Sequence, residues 1–391
     1  MIPKPFDQIN DSDIDALLAQ QVREGKTLDY KRDLPGGADA DKKEFLADVS
    51  SFANTAGGDV IFGVEESGGI ATRVHGVSSP DLDAEIRRLD SIIAAGTDPR
   101  FQYAIRHIDH SASGKPLLLV RIEQSWLAPH RVVFKGHDKF YARNSAGKYE
   151  LDVTELRQAF LASSAAADRI RDFRTNRLAK ILSGETPVPL GGKARLVLHL
   201  VPLEAYVAQK QVDALRYYND FTALEPMAAS GWSRRINLDG VATYTKGGTE
   251  NVGYTQLFRN GTIESVDGVV LSHEWQGQRL VPSAAYEDRL VRFVPKYLQV
   301  QKTLGLSPPV YIFVSLLGIK GHRLGVTESA SDFEERYPFD TDSLLLPEAV
   351  VSDFSDDVAV LLRPLFDMVW NAAGYPASRN FDNDGKWKPR T

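Results

Sequence analysis

Phe52-Ala53-Asn54-Thr55-Ala56-Gly57-Gly58-Asp59-Val60-Ile61-Phe62-Gly63-Val64-Glu65-Glu66 reads as the end of a helix, a paired-glycine turn, a short buried strand and two carboxylates at the strand's exit. Upstream stands Leu28-Asp29-Tyr30-Lys31, with Glu24 just before it. Two separate segments can therefore deliver three carboxylates and a lysine to one point.

Outward from this run, the pattern predicts a mixed α and β region. Ile14, Leu17, Leu18 and Val22 recur at helical spacing, and acidic residues open that helix where its dipole favours them. Leu28 to Leu34 reads as a strand closed by Pro35-Gly36-Gly37. A helix follows from Asp41 through Phe45, Leu46, Val49 and Phe52, and Gly57 supplies the left-handed residue that closes it. Another helix runs through Leu82, Ile86, Leu89 and Ile93, and strands are expected over 101–108 and 116–122. Asp152-Val153-Thr154-Glu155 has the capping-box form. The helix it starts is expected to break around Ala162-Ser163-Ser164 and to resume from Arg169 to Leu182.

The Pro- and Gly-rich stretch 183–192 reads as a linker. The expected organisation is residues 1–164, a basic helix and linker over 165–193, an α+β domain of open role over 194–375, and a polar, poorly ordered tail over 376–391. The second half should contain strands at 196–201 and 310–317, helices at 204–218, 286–304 and 358–373, and a hairpin turning at Asn260-Gly261. The fold class is α+β.

Composition narrows the classes further. The chain has 391 residues, 43% of them hydrophobic, enough for a sizeable core. Its longest apolar run, Val310 to Ile319, is too short to span a bilayer, and the first residues lack the apolar stretch of a secretory signal, so a cytoplasmic location is expected. Zero cysteines exclude thiolate metal sites, disulfides and cysteine nucleophiles. The net charge of -6 argues against generic coating of nucleic acid, although a local basic patch suffices to track a backbone.

Glu24, Asp29 and Lys31 have the spacing with which nucleases hold a divalent ion and steady the attacking water. A period of two sets Asp29 beside Lys31. Glu66, or its neighbour Glu65, leaves the adjacent strand and is the candidate third acid; such hard oxygen donors suit Mg2+ or Mn2+. The simpler reading is solvent-facing charges at strand ends, with Lys31 pairing Asp29.

Glu24-x-x-x-x-Asp29-Tyr30-Lys31, then Ser51-Phe52-Ala53-Asn54-Thr55-Ala56-Gly57-Gly58 and Phe62-Gly63-Val64-Glu65-Glu66, resembles the Schlafen AlbA-type domain, with a weaker echo at Phe140-Tyr141-Ala142-Arg143-Asn144-Ser145. The resemblance covers roughly residues 15 to 162. It implies a metal-dependent endoribonuclease site that cuts transfer and ribosomal RNA, with Glu24, Asp29 and Glu66 as metal ligands and Lys31 beside them. It further implies service in bacterial stress or antiphage defence. The family's nucleases have glutamate where this chain has Asp29 and aspartate where it has Glu66. Other bacterial members are described only as ATP-binding or regulatory, which keeps a non-catalytic nucleic-acid- or ATP-binding regulator as the alternative.

Asn54, Gly57 and Gly58 read as turn scaffold, Asn54 capping the helix end. Arg87, Arg88, Lys139, Arg143, Lys148 and the helix from Arg169 to Lys180 are candidate nucleic-acid contacts, with Tyr141 and Tyr149 available for base stacking; a solvated helix face is the alternative. RNA is the expected partner, and the second half would mediate substrate choice, self-association or a protein contact. Gly25-Lys26-Thr27 lacks the preceding glycine and the strand-to-helix setting of a Walker A loop. His107 and His110 have no third spaced ligand.

Overall fold

The computed structural model describes residues 1–207, 210–228, 231–326, 337–382 and 384–388. The chain forms two compact units, Met1–Ser164 and Ala165–Thr391.

In unit 1 the order is α1 (Asp11–Ala19), β1 (Leu28–Lys31), α2 (Asp39–Ala53), β2 (Gly58–Phe62), β3 (Val64–Ser67), β4 (Ile70–Val74), α3 (Leu82–Gly96), β5 (Thr97–Asp98), β6 (Tyr103–His110), β7 (Lys115–Ile122), β8 (Arg131–Phe134), β9 (His137–Asn144) and β10 (Gly147–Glu150). The main sheet runs β1-β2-β7-β6, with only β1 and β2 parallel; a second runs β10-β9-β8-β5, and β3 with β4 forms a hairpin. Val60, Ile61 and Phe62 of β2 are apolar in succession, without alternation, because both faces of the strand are covered. Val60 and Phe62 pack with Phe45, Val49 and Phe52 of α2 and Leu89 and Ile93 of α3. Ile61 packs on the opposite side with Ile14, Leu28 and Tyr30.

The glycine turn behaves as scaffold. Gly57 has φ +67°, and a Cβ there would lie 2.7 Å from the Ile122 carbonyl oxygen, so no other residue fits. A Cβ on Gly58 would strike the Phe52 ring. Asn54 does more than end its helix: its Nδ2 donates to the carbonyls of His130 (2.9 Å) and Tyr141 (2.8 Å), and its Oδ1 accepts from the His130 N–H (2.6 Å). The residue read as a local cap ties α2 to β9 and to the loop entering β8.

The capping box at Asp152 is present, with Glu155 N–H donating to Asp152 (2.8 Å) and Asp152 N–H to Glu155 (2.9 Å). The helix it opens, α4, runs unbroken from Val153 to Ser183, where a break had been expected at 162–164. Alanine and serine do not stop a helix that is capped at its start. The division between the units, at Ser164 and Ala165, falls inside α4.

Unit 2 is built on an antiparallel sheet ordered Ser233–Ile236, Gly240–Gly247, Glu250–Phe258, Ile263–Asp267, Arg195–Pro202, Val310–Leu317, Ser343–Leu345, with Ala349–Val351 also on Val310–Leu317. The Asn260-Gly261 turn joins two of these strands as the sequence predicts. Helices Ser283–Thr303 and Val358–Asn371 supply Tyr286, Phe293, Phe366 and Trp370 to its core. The helix expected over 204–218 is instead a short one, Leu203–Val207, and a 3-10 turn, Ala214–Tyr218; between them Val212 N–H bonds to the Arg259 carbonyl at 2.7 Å.

The expected basic face of the second half of α4 is divided: Arg169, Arg171 and Lys180 are exposed, whereas Arg174 and Arg177 turn inward. Arg174 donates to the Leu346 and Val314 carbonyls at 2.7 and 3.1 Å. Arg177 makes a two-pronged bridge to the fully buried Glu264 at 2.8 and 2.7 Å, joined there by His199 (2.9 Å) and Tyr254 (2.7 Å). The tail, expected to be loose, is held by another buried acid: Glu287 accepts from Ser378 (3.0 Å), Asn380 (2.9 Å), Trp387 (3.2 Å) and Trp370 (2.8 Å).

Burial pushes the Glu264 carboxyl up, but Arg177 and His199 outweigh it and hold it at about 2. A folded-state pKa below the unfolded one gives stability that is present above about pH 4.5 and lost as pH falls toward 2. Between pH 5 and 2 the wild type should lose on the order of 3 kcal/mol more than Glu264→Gln. Denaturant unfolding at stepped pH checks this; parallel losses in both proteins would refute it.

Candidate functional site

β1 is the edge strand of the main sheet, paired in register Asp29 with Val60 and Lys31 with Phe62. The strand period places Asp29 and Lys31 on one face, where Lys31 Nζ lies 3.3 Å from Asp29 and 3.5 Å from Asp48 of α2. Arg143, from β9, sets its guanidinium 3.0 Å from Asp29, 3.7 Å from Asp48 and 4.1 Å above the Phe52 ring. Lys148, opposite Arg143 on β10, closes the group at 2.8 Å from Asp48 and also bonds Glu44. Asp29, Asp48 and Arg143 are each at most 5% exposed, so two buried acids face three bases.

The charges respond accordingly. Burial raises the Asp29 carboxyl, but Lys31 and Arg143 overcome this and hold it below the ordinary carboxylate value. Asp48 is raised, because burial outweighs Lys31 and Lys148. Lys31 itself is raised: Asp48 and Asp29 more than offset its burial.

Glu24 stands at the rim of this group. Its Oε1 accepts from the Tyr30 N–H at 2.6 Å, and its carboxyl is in hydrogen-bonding contact with Asp29. Burial first, then that contact and the negative charges of Asp29 and Glu66, push Glu24 up to about 7. Gly69 links the two outer acids: its carbonyl accepts from the Glu24 N–H (2.7 Å), and its own N–H donates to Glu66 (2.5 Å). Glu65 points elsewhere, to His75 (2.8 Å) and Arg32 (3.4 Å), so Glu66 is the acid that faces Glu24. Arg23, Glu24, Glu66, Arg143 and Gly147 line a cleft of about 330 Å³.

The structure thus brings together Glu24, Asp29 and Lys31, with Glu66 across the cleft. Among the described residues no three His, Asp or Glu side chains converge as a metal set, so the implied trio is not preassembled. The part of it in contact is the Glu24 and Asp29 pair, an oxygen-only donor set of the kind that holds Mg2+ together with water and a substrate phosphate.

The expected nucleic-acid contacts fare differently. Arg143 is an internal ion-pair partner and Lys148 is committed to Asp48 and Glu44, so neither is a free surface cation. Arg88 is bonded to Glu85 and to the Pro35 carbonyl, and Lys139 to Glu150; Arg87 is exposed. Asp48 was not anticipated. Its signal was an acid at helical spacing between Phe45 and Phe52, where the pattern demands an apolar residue.

Residues 24–152 match the family model described as Schlafen, AlbA_2. No curated protein matches the chain. Among solved structures, the DIP2311 protein of Corynebacterium diphtheriae is 17% identical with a TM-score of 0.26, over 36% of this chain and 26% of its own. The N-terminal domain of a Nitrosomonas europaea protein related to the ATP-dependent DNA helicase RecG is 25% identical with a TM-score of 0.24, over 30% of this chain and 74% of its own. The chain therefore spans about a quarter of the Corynebacterium protein.

Two stability outcomes follow from the geometry. Arg143→Ala removes the buried cation shared by Asp29 and Asp48, leaving them only the partly exposed Lys31 and Lys148, and should cost about 3 kcal/mol in denaturant unfolding; a loss below about 1 kcal/mol would mean that the two lysines suffice. For Glu24 the folded pKa is raised, so its contribution is present below about pH 4.5 and lost as pH rises through about 7. Glu24→Gln should raise the melting temperature relative to wild type at pH 8 and bring no such gain at pH 4.

Proposed function

We propose that unit 1 binds nucleic acid in the Glu24 cleft and cuts its phosphodiester backbone, with structured RNA such as transfer RNA as the substrate class. The observation that carries this reading is the contact between Glu24 and Asp29. Lys31 and Arg143 are committed to Asp29 and Asp48, and Glu24 has no ion-pair partner among the described residues while Asp29 and Glu66 add negative charge beside it, so Glu24 takes up either a proton or a cation near neutral pH.

Glu24 and Asp29 would hold Mg2+ or Mn2+, which when bound offsets charge developing on the attacked phosphate. Asp29 is kept ionised and oriented by Arg143 and Lys31. Glu66, fixed on Gly69, adds negative charge on the far side of the cleft and helps orient water there. Phe52, Asn54 and the glycine turn hold the frame and do not reach substrate. The Schlafen match to residues 24–152 supports a nucleic-acid role for the domain.

The test incubates wild type, Glu24→Gln and Asp29→Asn with total transfer RNA in Mn2+, with and without chelator. Wild type should cut only with the metal. Glu24→Gln should lose about 10²- to 10⁴-fold in rate while still binding RNA. Equal cutting by all three proteins would remove the acid pair from the reaction. Salt-sensitive binding with no cutting by wild type would favour a non-catalytic nucleic-acid regulator, and a melting temperature raised by ATP alone would favour a nucleotide-binding one.

A further inference from the structure

A second cavity, of about 370 Å³, adjoins the Glu24 cleft and shares Arg23 and Gly25 with it. Its charged lining side chains are Arg23 and Lys26; among the described residues no acidic side chain lines it. This sets it apart from its surroundings. Near the acid centre Lys31, Arg143 and Lys148 are all bound to carboxylates, Arg32 pairs Glu65 and Lys4 pairs Asp13. Arg23 and Lys26 are exposed, and among the described residues neither side chain has an ion-pair or hydrogen-bond partner. Two unpaired cations lining one cavity repel each other, and an anion bound there lowers the energy of both.

The segment that carries them is well fixed. Arg23 bridges to Ile70, Glu24 N–H bonds to the Gly69 carbonyl at 2.7 Å, and Gly25 N–H bonds to the Leu28 carbonyl at 3.0 Å. Ile2, which also lines the cavity, is held by its N–H to Asp59 at 2.6 Å, and Arg121 grips the Ile2 carbonyl at 2.9 Å. The lining is therefore firmly held, and Arg23 and Lys26 are its free side-chain charges. It also absorbs Gly25-Lys26-Thr27, the stretch that fails as a Walker A loop.

We propose that this cavity is a phosphate subsite in which Arg23 and Lys26 seat one phosphate of a strand whose neighbouring linkage lies at Glu24. The proposal rests on the Glu24 cleft being a nucleic-acid site. Arg23 lines both cavities, and its planar fork suits two phosphate oxygens at once; Lys26 lines the second cavity alone and adds a point charge there. Leu17 and Leu28 supply apolar wall against which a sugar packs. The seated phosphate can be internal to the strand or a 5′ end.

The experiment measures the affinity of a single-stranded RNA in chelator against KCl concentration for wild type and Arg23→Gln/Lys26→Gln. Each lost phosphate contact lowers the salt slope by about 0.7 on single strands, so the double variant, which loses the one seated phosphate, should fall by about 0.7. An unchanged slope in the double variant overturns the subsite. Comparing 5′-phosphate with 5′-hydroxyl RNA separates the sources: an end seat makes the double variant lose only the advantage of the phosphorylated strand.

Tripolyphosphate-dependent melting of the same proteins separates this proposal from the reading it rests on. If wild type binds no RNA but gains a melting shift that the double variant loses, the subsite stands and the nucleic-acid reading falls. If wild type responds to neither ligand, both fall.

Discussion

The Arg143 guanidinium between Asp29 and Asp48 is the constraint on which unit 1 depends. Its three partners come from two elements: Asp29 from the edge strand of the main sheet, Asp48 and Phe52 from α2. Arg143 itself comes from the second sheet, so one planar cation ties sheet to helix to sheet. Removing water from such a group is expensive, and it is tolerable only because every carboxylate in it has a cation at close range. Lysine in its place would offer a point charge where the site needs a flat fork lying on an aromatic ring.

Most of the frame was legible. The strand at 58–62, the α2 helix and the glycine turn follow from period, burial and the positive φ at Gly57. The pairing of Asp29 with Lys31 follows from the strand period of two. What could not be read were partners distant in the chain. Arg143 was singled out as a phosphate contact because an arginine near an aromatic motif has the same local look whether it faces solvent or a buried acid 114 residues away. Asn54 posed the same problem, since its carbonyl partners at 130 and 141 leave no local trace.

Unit 2 repeats the lesson with different chemistry. Arg174 and Arg177 gave α4 a basic face in one dimension, yet Arg177 fills the needs of Glu264 and Arg174 caps strand carbonyls. Glu287 shows a different solution: a buried acid satisfied by the hydroxyl of Ser378, the amide of Asn380 and two indoles. Four neutral donors do not fully replace a counter-charge, and burial still leaves its carboxyl raised. The composition of the tail predicted looseness because it is polar, but Ser378, Asn380 and Trp387 are the donors this carboxylate requires.

The exchanged Asp and Glu of the acid centre can now be understood as a matter of reach. The short Asp29 stays inside the arginine and lysine cage and is ionised there. The long Glu66 folds back onto Gly69 and acts on Glu24 through charge alone. Glu24 is left as the acid with a backbone amide as donor, no cation within ion-pair distance among the described residues, and two negative neighbours. A half-buried carboxyl with two negative neighbours is costly to keep charged, which makes it the point at which this fold takes up a proton or a metal ion. The unpaired Arg23, adjacent in the chain and lining the same cleft, does not bridge to Glu24 and so remains free for an incoming anion.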